Sequence, residues 1–215
     1  MTLTQQLDDY KKEFSSKVPS EAASLMQQAT KDLASANIVD KAPKKGEKLL
    51  PFSLANHQGQ QIELKGLLEK GPIILTFYRG GWCPYCNLEL RAYQKVLSEI
   101  KALGANLVAV TPELPDASLS TIEKNALEFQ VLSDVGAEYA RALGLNFELP
   151  ESLRPVYESF GISLEAHNGS GQFELPLAAT FVIDKSGTIV SAFVDVDYTK
   201  RLEPEEAVSV LKALA

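Results

Sequence analysis

Residues 72 to 104 read PIILTFYRGGWCPYCNLELRAYQKVLSEIKALG, and the fold turns on them. PIILTFY (72–78) is a near-continuous apolar run, the pattern of a strand buried on both faces. Further on the period changes: Leu88, Leu90, Tyr93, Val96, Leu97, Ile100 and Leu103 keep helical spacing and stop at Gly104. Between strand and helix lies FYRGGWCPYC (77–86), which holds both cysteines of the chain, Cys83 and Cys86, and its only tryptophan, Trp82. Pro84 suits the first helical position, where its missing N–H has no intrahelical partner. Cys83 then becomes the N-cap and Cys86 lies in the first turn. Unpaired N–H groups and the positive end of the helix dipole favour a thiolate there. The dipole is worth at most about 2 kcal/mol. At about 1.36 kcal/mol per pKa unit, that moves a thiol from about 8.5 to near 7. Arg79 is the nearest cation in sequence that can lower it further. Gly80 and Gly81 are expected to keep side chains away from the sulfurs, and Trp82 to shield them.

Working outward, NLVAVT (106–111) reads as a second buried strand. A helix around 116–127, VLSD (131–134) and a short helix near 135–143 follow. AATFVID (178–184), a DKSG turn and TIVSAFVDV (188–196) make a hairpin, and Glu203 to Leu214 a closing helix with Pro204 in its first turn. Upstream, PFSLANHQGQQIEL (51–64) reads as two short strands around a turn at Asn56 to Gly59. This order describes an α/β sheet of mixed direction. The stretch 145–177 is the least regular, with a short helix in ELPESLRPVYESF and loop in AHNGSGQF. Residues 1–42 carry two helical patterns, one through Leu3, Leu7, Tyr10 and Phe14, the other from Ala22 to Ala36 after Pro19 and Ser20. They read as an N-terminal helical extension packed on its own domain, with a homodimer contact as the alternative. KAPKKGEK (41–48) is the linker to a domain spanning 46–215.

The composition narrows the function. A chain of 215 residues with 45% apolar content can build one substantial core. A net charge of −7 without a basic run argues against nucleic acid or an anionic membrane surface as partner. No stretch approaches the roughly 18 apolar residues of a membrane span. MTLTQQLDDYKKEF lacks the regions of a signal peptide, so the expectation is a soluble cytoplasmic protein. Two cysteines cannot make a disulfide scaffold, and a bridge across two residues closes too short a loop to constrain the unfolded chain. Zinc needs more ligands, and His57 and His167, expected as polar surface residues, lie far apart without ligand spacing. No metal and no cofactor is expected. The scarcity of histidine also argues against a Cys–His acyl-transfer enzyme. Redox chemistry remains.

At FYRGGWCPYC, preceded by LLPFSLANHQGQQIEL, the chain resembles the thioredoxin-fold superfamily. More closely it resembles the alkyl hydroperoxide reductase/thiol-specific antioxidant (AhpC/TSA) group, the peroxiredoxins. The resemblance covers about 46 to 214 and includes FQVLSDVGAEYARALGL and ATFVIDKSGTIVSAFV. DVDYTKRLEPEE (195–206) is similar to a signature of a CxxC-bearing, peroxiredoxin-like subfamily, with no physical role evident in the sequence. The resemblance implies a thioredoxin-like fold and a thiol-dependent peroxidase. It places the peroxidatic cysteine at Cys86, with Cys83 in the family's Thr position and Arg79 in its Pro position. The second active-site Arg of the family falls at Ala178 and Ala179, where neither residue can serve. The implied cycle takes a hydroperoxide to a Cys86 sulfenic acid, condenses it with Cys83, and reduces the disulfide with a thioredoxin- or glutaredoxin-type dithiol. Arg79, Trp82 and Pro84 support the pair. CPYC is also the glutaredoxin tetrapeptide, so a protein disulfide oxidoreductase with Cys83 as nucleophile is the second expectation. A redox-sensing adaptor that binds a partner through its arm is the third.

Overall fold

The computed structural model describes residues 1–214. At its centre, β3 (Ile73–Phe77) is buried along its whole length and runs parallel to β4 (Asn106–Thr111) and antiparallel to β8 (Ala178–Ile183). Outside β4 lie β5 (Gln130–Ser133) and the hairpin of β1 (Ser53–Asn56) and β2 (Gln61–Glu63). Outside β8 lies β9 (Ile189–Asp195). The seven strands follow the order β2-β1-β5-β4-β3-β8-β9, the mixed sheet expected from the sequence.

Alternation along β3 sets the two layers. Ile74 faces α4 (Pro84–Ala102) and α9 (Pro204–Lys212), packing with Tyr93, Leu97, Ile100, Val208 and Leu211. Ile73, Leu75 and Phe77 face the other way, onto α3 (Leu64–Lys70) and α6 (Glu138–Ala142) through Leu64, Leu67, Tyr139 and Ala140. The helix α5 (Pro115–Asn125) joins β4 to β5. Each fully buried Ile or Leu here contributes about 1.5–3 kcal/mol, so this two-sided burial fixes the strand at the sheet's centre.

The extension forms α1 (Leu3–Lys17) and α2 (Ser20–Ser35), and a 3-10 turn spans Ile38–Lys41. Leu3 and Leu7 are buried with Tyr85, Leu90 and both cysteines, so α1 packs on this chain's own α4. The Glu203 carboxylate accepts from the N–H groups of Leu3 (3.0 Å) and Thr4 (2.6 Å), tying the start of α1 to the start of α9.

The stretch expected to be irregular holds more structure than its sequence suggests. β6 (Asn146–Glu148) pairs antiparallel with β7 (Glu174–Pro176), and between them lie α7 (Arg154–Ser159) and α8 (Leu164–Asn168). AHNGSGQF is therefore not all loop, since its first three residues close α8. Strands of three residues leave too few alternations to read, and they are held by tertiary contacts of Leu149, Leu153, Tyr157 and Leu175.

Candidate active site

The end of β3 and the start of α4 place the cysteines as their sequence implies. Cys83 is the N-cap residue with extended backbone, Pro84 opens the helix and Cys86 lies in the first turn. The loop is pinned by Asn87, whose side-chain amide donates to the carbonyls of Gly81 (2.8 Å) and Cys83 (3.1 Å). Asn125 of α5 holds Asn87 in turn, donating to its Oδ1 at 2.7 Å.

The glycines serve a different purpose from the one expected. A Cβ on Gly80 would lie 2.2 Å from Trp82 Nε1, and one on Gly81 1.9 Å from Thr121 Oγ1. They admit Trp82 and α5 against the loop and do not clear space beside the sulfurs. Both cysteines are buried, Cys83 at 1% and Cys86 at 0% exposure. The cap position is thus no more solvent-exposed than the first turn. What separates them is a cavity of about 200 Å3, walled by Phe14, Trp82, Tyr157 and Tyr198, which Cys83 and Arg79 line and Cys86 does not.

Arg79 is buried and holds its charge against aromatic faces, 4.2 Å from the Tyr198 ring centre and 5.0 Å from that of Trp82. Its Nη2 donates to the Tyr157 hydroxyl at 3.1 Å. Among the described residues it has no carboxylate partner.

Ala178 and Ala179 bring no cation to the dithiol, but an arginine reaches it from another part of the chain. β9 pairs Asp195 with Ala178, and the chain beyond it turns back beside that edge. It brings Arg201, in the DVDYTKRLEPEE segment, to Cys86, where Nη2 donates to Sγ at 3.4 Å. Nε of Arg201 donates to Glu89 Oε2 at 2.6 Å, and both side chains are 1% exposed. Glu89 Oε1 accepts from Thr76 Oγ1 at 3.2 Å and from Thr180 Oγ1 at 3.5 Å, two threonines paired across β3 and β8. The same segment supplies Tyr198 to Arg79. Its physical role is to carry one residue to each half of the dithiol.

These surroundings pull the two thiols apart. Burial pushes the Cys83 thiol up. The hydrogen bond from the Cys86 thiol, the guanidiniums of Arg79 and Arg201, and the Cys86 backbone N–H outweigh it and bring it to about 5. Burial pushes the Cys86 thiol well above its ordinary range, and its hydrogen bond to Cys83 and the charge there add to the shift. Burial likewise raises Glu89 to about 7, against the pull of Arg201. These groups favour a thiolate on Cys83 over one on Cys86.

The model of the AhpC/TSA family matches residues 45–192, more than half of the chain. The chain belongs to the AhpC/TSA family. It is 29% identical over 125 residues to the thiol-disulfide oxidoreductase ResA of Halalkalibacterium halodurans, covering 58% of this chain and 68% of that protein. It is 25% identical over 162 residues to the chloroplastic peroxiredoxin Q of Sedum lineare, covering 75% of this chain and 72% of the relative. The crystal structure of peroxidoxin BcpB from Mycobacterium tuberculosis matches with a TM-score of 0.63 at 20% identity, over 80% of this chain and 98% of that one. That likeness shows the shared thioredoxin-like fold. Within this AhpC/TSA protein, Arg201, Glu89, Tyr157 and Tyr198 are the site residues that sequence reasoning passed over. Glu89 stood within reach: it lies three positions after Cys86, on the same helical face. His167 also departs from expectation. It is half-buried, with Nδ1 3.0 Å from Oε1 of the buried Glu113.

Proposed function

We propose that the protein is a thiol-dependent peroxidase of the AhpC/TSA family in which Cys83 is the attacking thiolate and Cys86 the resolving thiol. The observation that carries this reading is the cavity: a peroxide entering it meets Arg79 and Cys83, while Cys86 lies outside the lining. Cys83 sulfur attacks the distal oxygen, an S–O bond forms, the O–O bond breaks, and the leaving alkoxide or hydroxide takes a proton from water. Arg79 stabilises first the thiolate and then the leaving oxyanion. Cys86 gives up its proton and attacks the Cys83 sulfenic acid. Hydroxide leaves, becomes water, and a Cys83–Cys86 disulfide remains. A thioredoxin- or glutaredoxin-type dithiol reduces that disulfide by exchange and is itself oxidised. A reducing compartment such as the cytoplasm suits this cycle. Residues 1–42 act as a cap on the 46–215 domain, since Leu3, Leu7 and Tyr10 pack beside the dithiol.

This exchanges the cysteine roles that the family motif implies, and the two assignments are separable. In the Cys86→Ser variant, peroxide should leave a sulfenic acid on Cys83 that dimedone traps. Trapping on Cys86 in Cys83→Ser, with none on Cys83 in the reciprocal variant, returns the attacking role to Cys86. A second reading is a disulfide oxidoreductase that also uses Cys83. It is favoured by the ResA relative and by the same low thiol pKa. Stopped-flow Trp82 fluorescence decides between the two. A rate linear in peroxide and far above that of a free thiol supports the peroxidase, and a free-thiol rate leaves disulfide exchange.

A further inference from the structure

The two helices of the extension are held in different ways. α1 is tied into the domain. Besides the Glu203 carboxylate at its start, Lys11 donates to Thr199 Oγ1 at 3.1 Å and pairs with Asp197 at 3.5 Å. α2 has no such tie. Among the described residues, every hydrogen bond of its side chains stays within the helix, and no ion pair joins it to the rest of the chain. None of its sixteen residues is fully buried. Leu25, Met26 and Ala29 rest half-buried on the cluster of Leu149, Leu153 and Tyr157. Around the helix lie cavities of about 260, 480 and 200 Å3, the last being that of Cys83, and Met26 is the one α2 residue that reaches all three. Both ends break the helical path, at the extended Val18 and Pro19 and at Asn37 with φ of 51°.

We infer that the face under α2 is the docking surface of the reducing partner, a protein dithiol, and that α2 is the lid this partner displaces. The inference rests on the dithiol–disulfide cycle proposed above and adds the place where its partner docks. Exchange requires the attacking sulfur to touch the sulfur attacked, and Cys83 is buried. Hydrogen peroxide is scarcely larger than water, whose share of liquid volume is about 30 Å3, so it enters the Cys83 cavity with the lid closed. The chain segment that carries a protein's cysteine does not fit there. Lifting α2 withdraws Met26 and joins that cavity to the 260 Å3 space, with which it shares Arg79, Tyr157 and Tyr198. The result is an apolar trough over Leu149, Leu153 and Leu177 that ends at Cys83. A bare apolar surface of this kind marks a protein-binding site. The partner's thiolate attacks Cys83 sulfur, the Cys83–Cys86 bond breaks, and Cys86 leaves with the proton that the partner's second thiol gives up. That second sulfur then attacks the mixed disulfide, which frees the Cys83 thiolate and leaves the partner oxidised. α2 lies outside the family-matched residues, so the lid belongs to this chain's extension.

The full-length Cys86→Ser protein, joined through Cys83 to a thioredoxin whose resolving cysteine is replaced by serine, holds the docked state. On forming this mixed disulfide, the amides of 20–35 should lose protection from hydrogen exchange by about tenfold or more, while those of α4 keep theirs. Unchanged or increased protection of α2 overturns the lid. So does failure to form the mixed disulfide while iodoacetamide still labels Cys83. Reduction rates of the diamide-oxidised protein give a second test. Ala29→Leu fills part of the 260 Å3 space and tightens α2, so it should slow reduction by thioredoxin about fivefold. Leu33→Ala loosens α2 and should speed that reduction by about the same factor. Reduction by dithiothreitol, which is small enough for the Cys83 cavity, should stay nearly unchanged in both variants. Equal changes with the two reductants, or none with thioredoxin, overturn the lid as well. A displaced α2 in a protein that reacts with hydrogen peroxide no faster than a free thiol upholds the docking surface and removes the peroxidase reading alone.

Discussion

Two buried arginines serve one dithiol, and they hold their charge in opposite ways. Arg201 is neutralised by Glu89 at 2.6 Å and points one nitrogen at Cys86. Arg79 has only aromatic faces, a tyrosine hydroxyl and an unpartnered Nε. A buried charge without a counter-ion is expensive, by several kcal/mol even after relaxation. The thiolate on Cys83 is the counter-charge that Arg79 lacks, so its field favours that sulfur strongly. The field of Arg201 is largely spent on Glu89 and cannot lift the burial penalty on Cys86. Thus, with cations beside both sulfurs, the surroundings favour charge on Cys83 and disfavour it on Cys86.

The contrast is sharpest in stability. Glu89→Leu leaves the buried Arg201 charge uncompensated and should cost about 3–5 kcal/mol in urea unfolding, whereas Arg201→Met should cost less, because Glu89, already raised to about 7, takes up a proton. The double variant removes both charges and should lose much less than the sum of the two. A double variant as unstable as the sum would show that the two do not act as a unit.

At the unpaired site the expected effect is on titration. Alkylation of Cys83 should rise through a midpoint near pH 5 and stay flat toward neutrality, because the thiolate is the reacting form. Arg79→Met should move that midpoint up by on the order of one unit, about a tenfold loss of thiolate at pH 5. An unmoved midpoint breaks the comparison. The folded thiol lies below its unfolded value of about 8.5. Its stabilising contribution is therefore present above that value and lost as pH falls through about 5. The reduced protein should accordingly gain less over Cys83→Ser at pH 4.5 than at pH 8.

Smaller effects follow at the edges of the two sites. Tyr198→Leu removes the nearest ring from Arg79 and should cost about 1–2 kcal/mol, measured by thermal unfolding, with a smaller midpoint shift than Arg79→Met. Lys11→Met breaks a half-exposed pair with Asp197, 3.5 Å long, on the segment that delivers Tyr198 and Arg201. It should change stability by less than about 1 kcal/mol, and a larger loss would mean that α1 holds the segment in place.

The sheet and the dithiol were legible because their signals are local. A strand buried on both faces must be apolar throughout, and a helix with one buried face must show a period near 3.6, so 72–104 could be read alone. Pro84 and the CxxC spacing placed Cys83 at the N-cap and Cys86 in the first turn by the geometry of a helix start. The β6–β7 pair was missed because strands of three residues carry no period. Glu89 was passed over because a glutamate on α4 reads as solvated until its neighbours are known.

By itself, then, the sequence determined the strand-to-helix junction, the N-cap position of Cys83 and the family, all properties of neighbouring residues or of a motif. Which sulfur meets the cavity, which arginine stands by each, and why 195–206 matters were decided only by the tertiary structure. Arg201 lies 115 positions from Cys86 and becomes its neighbour only because β9 closes on β8. The charge on a buried thiol depends on burial and on such distant groups, which no local pattern carries.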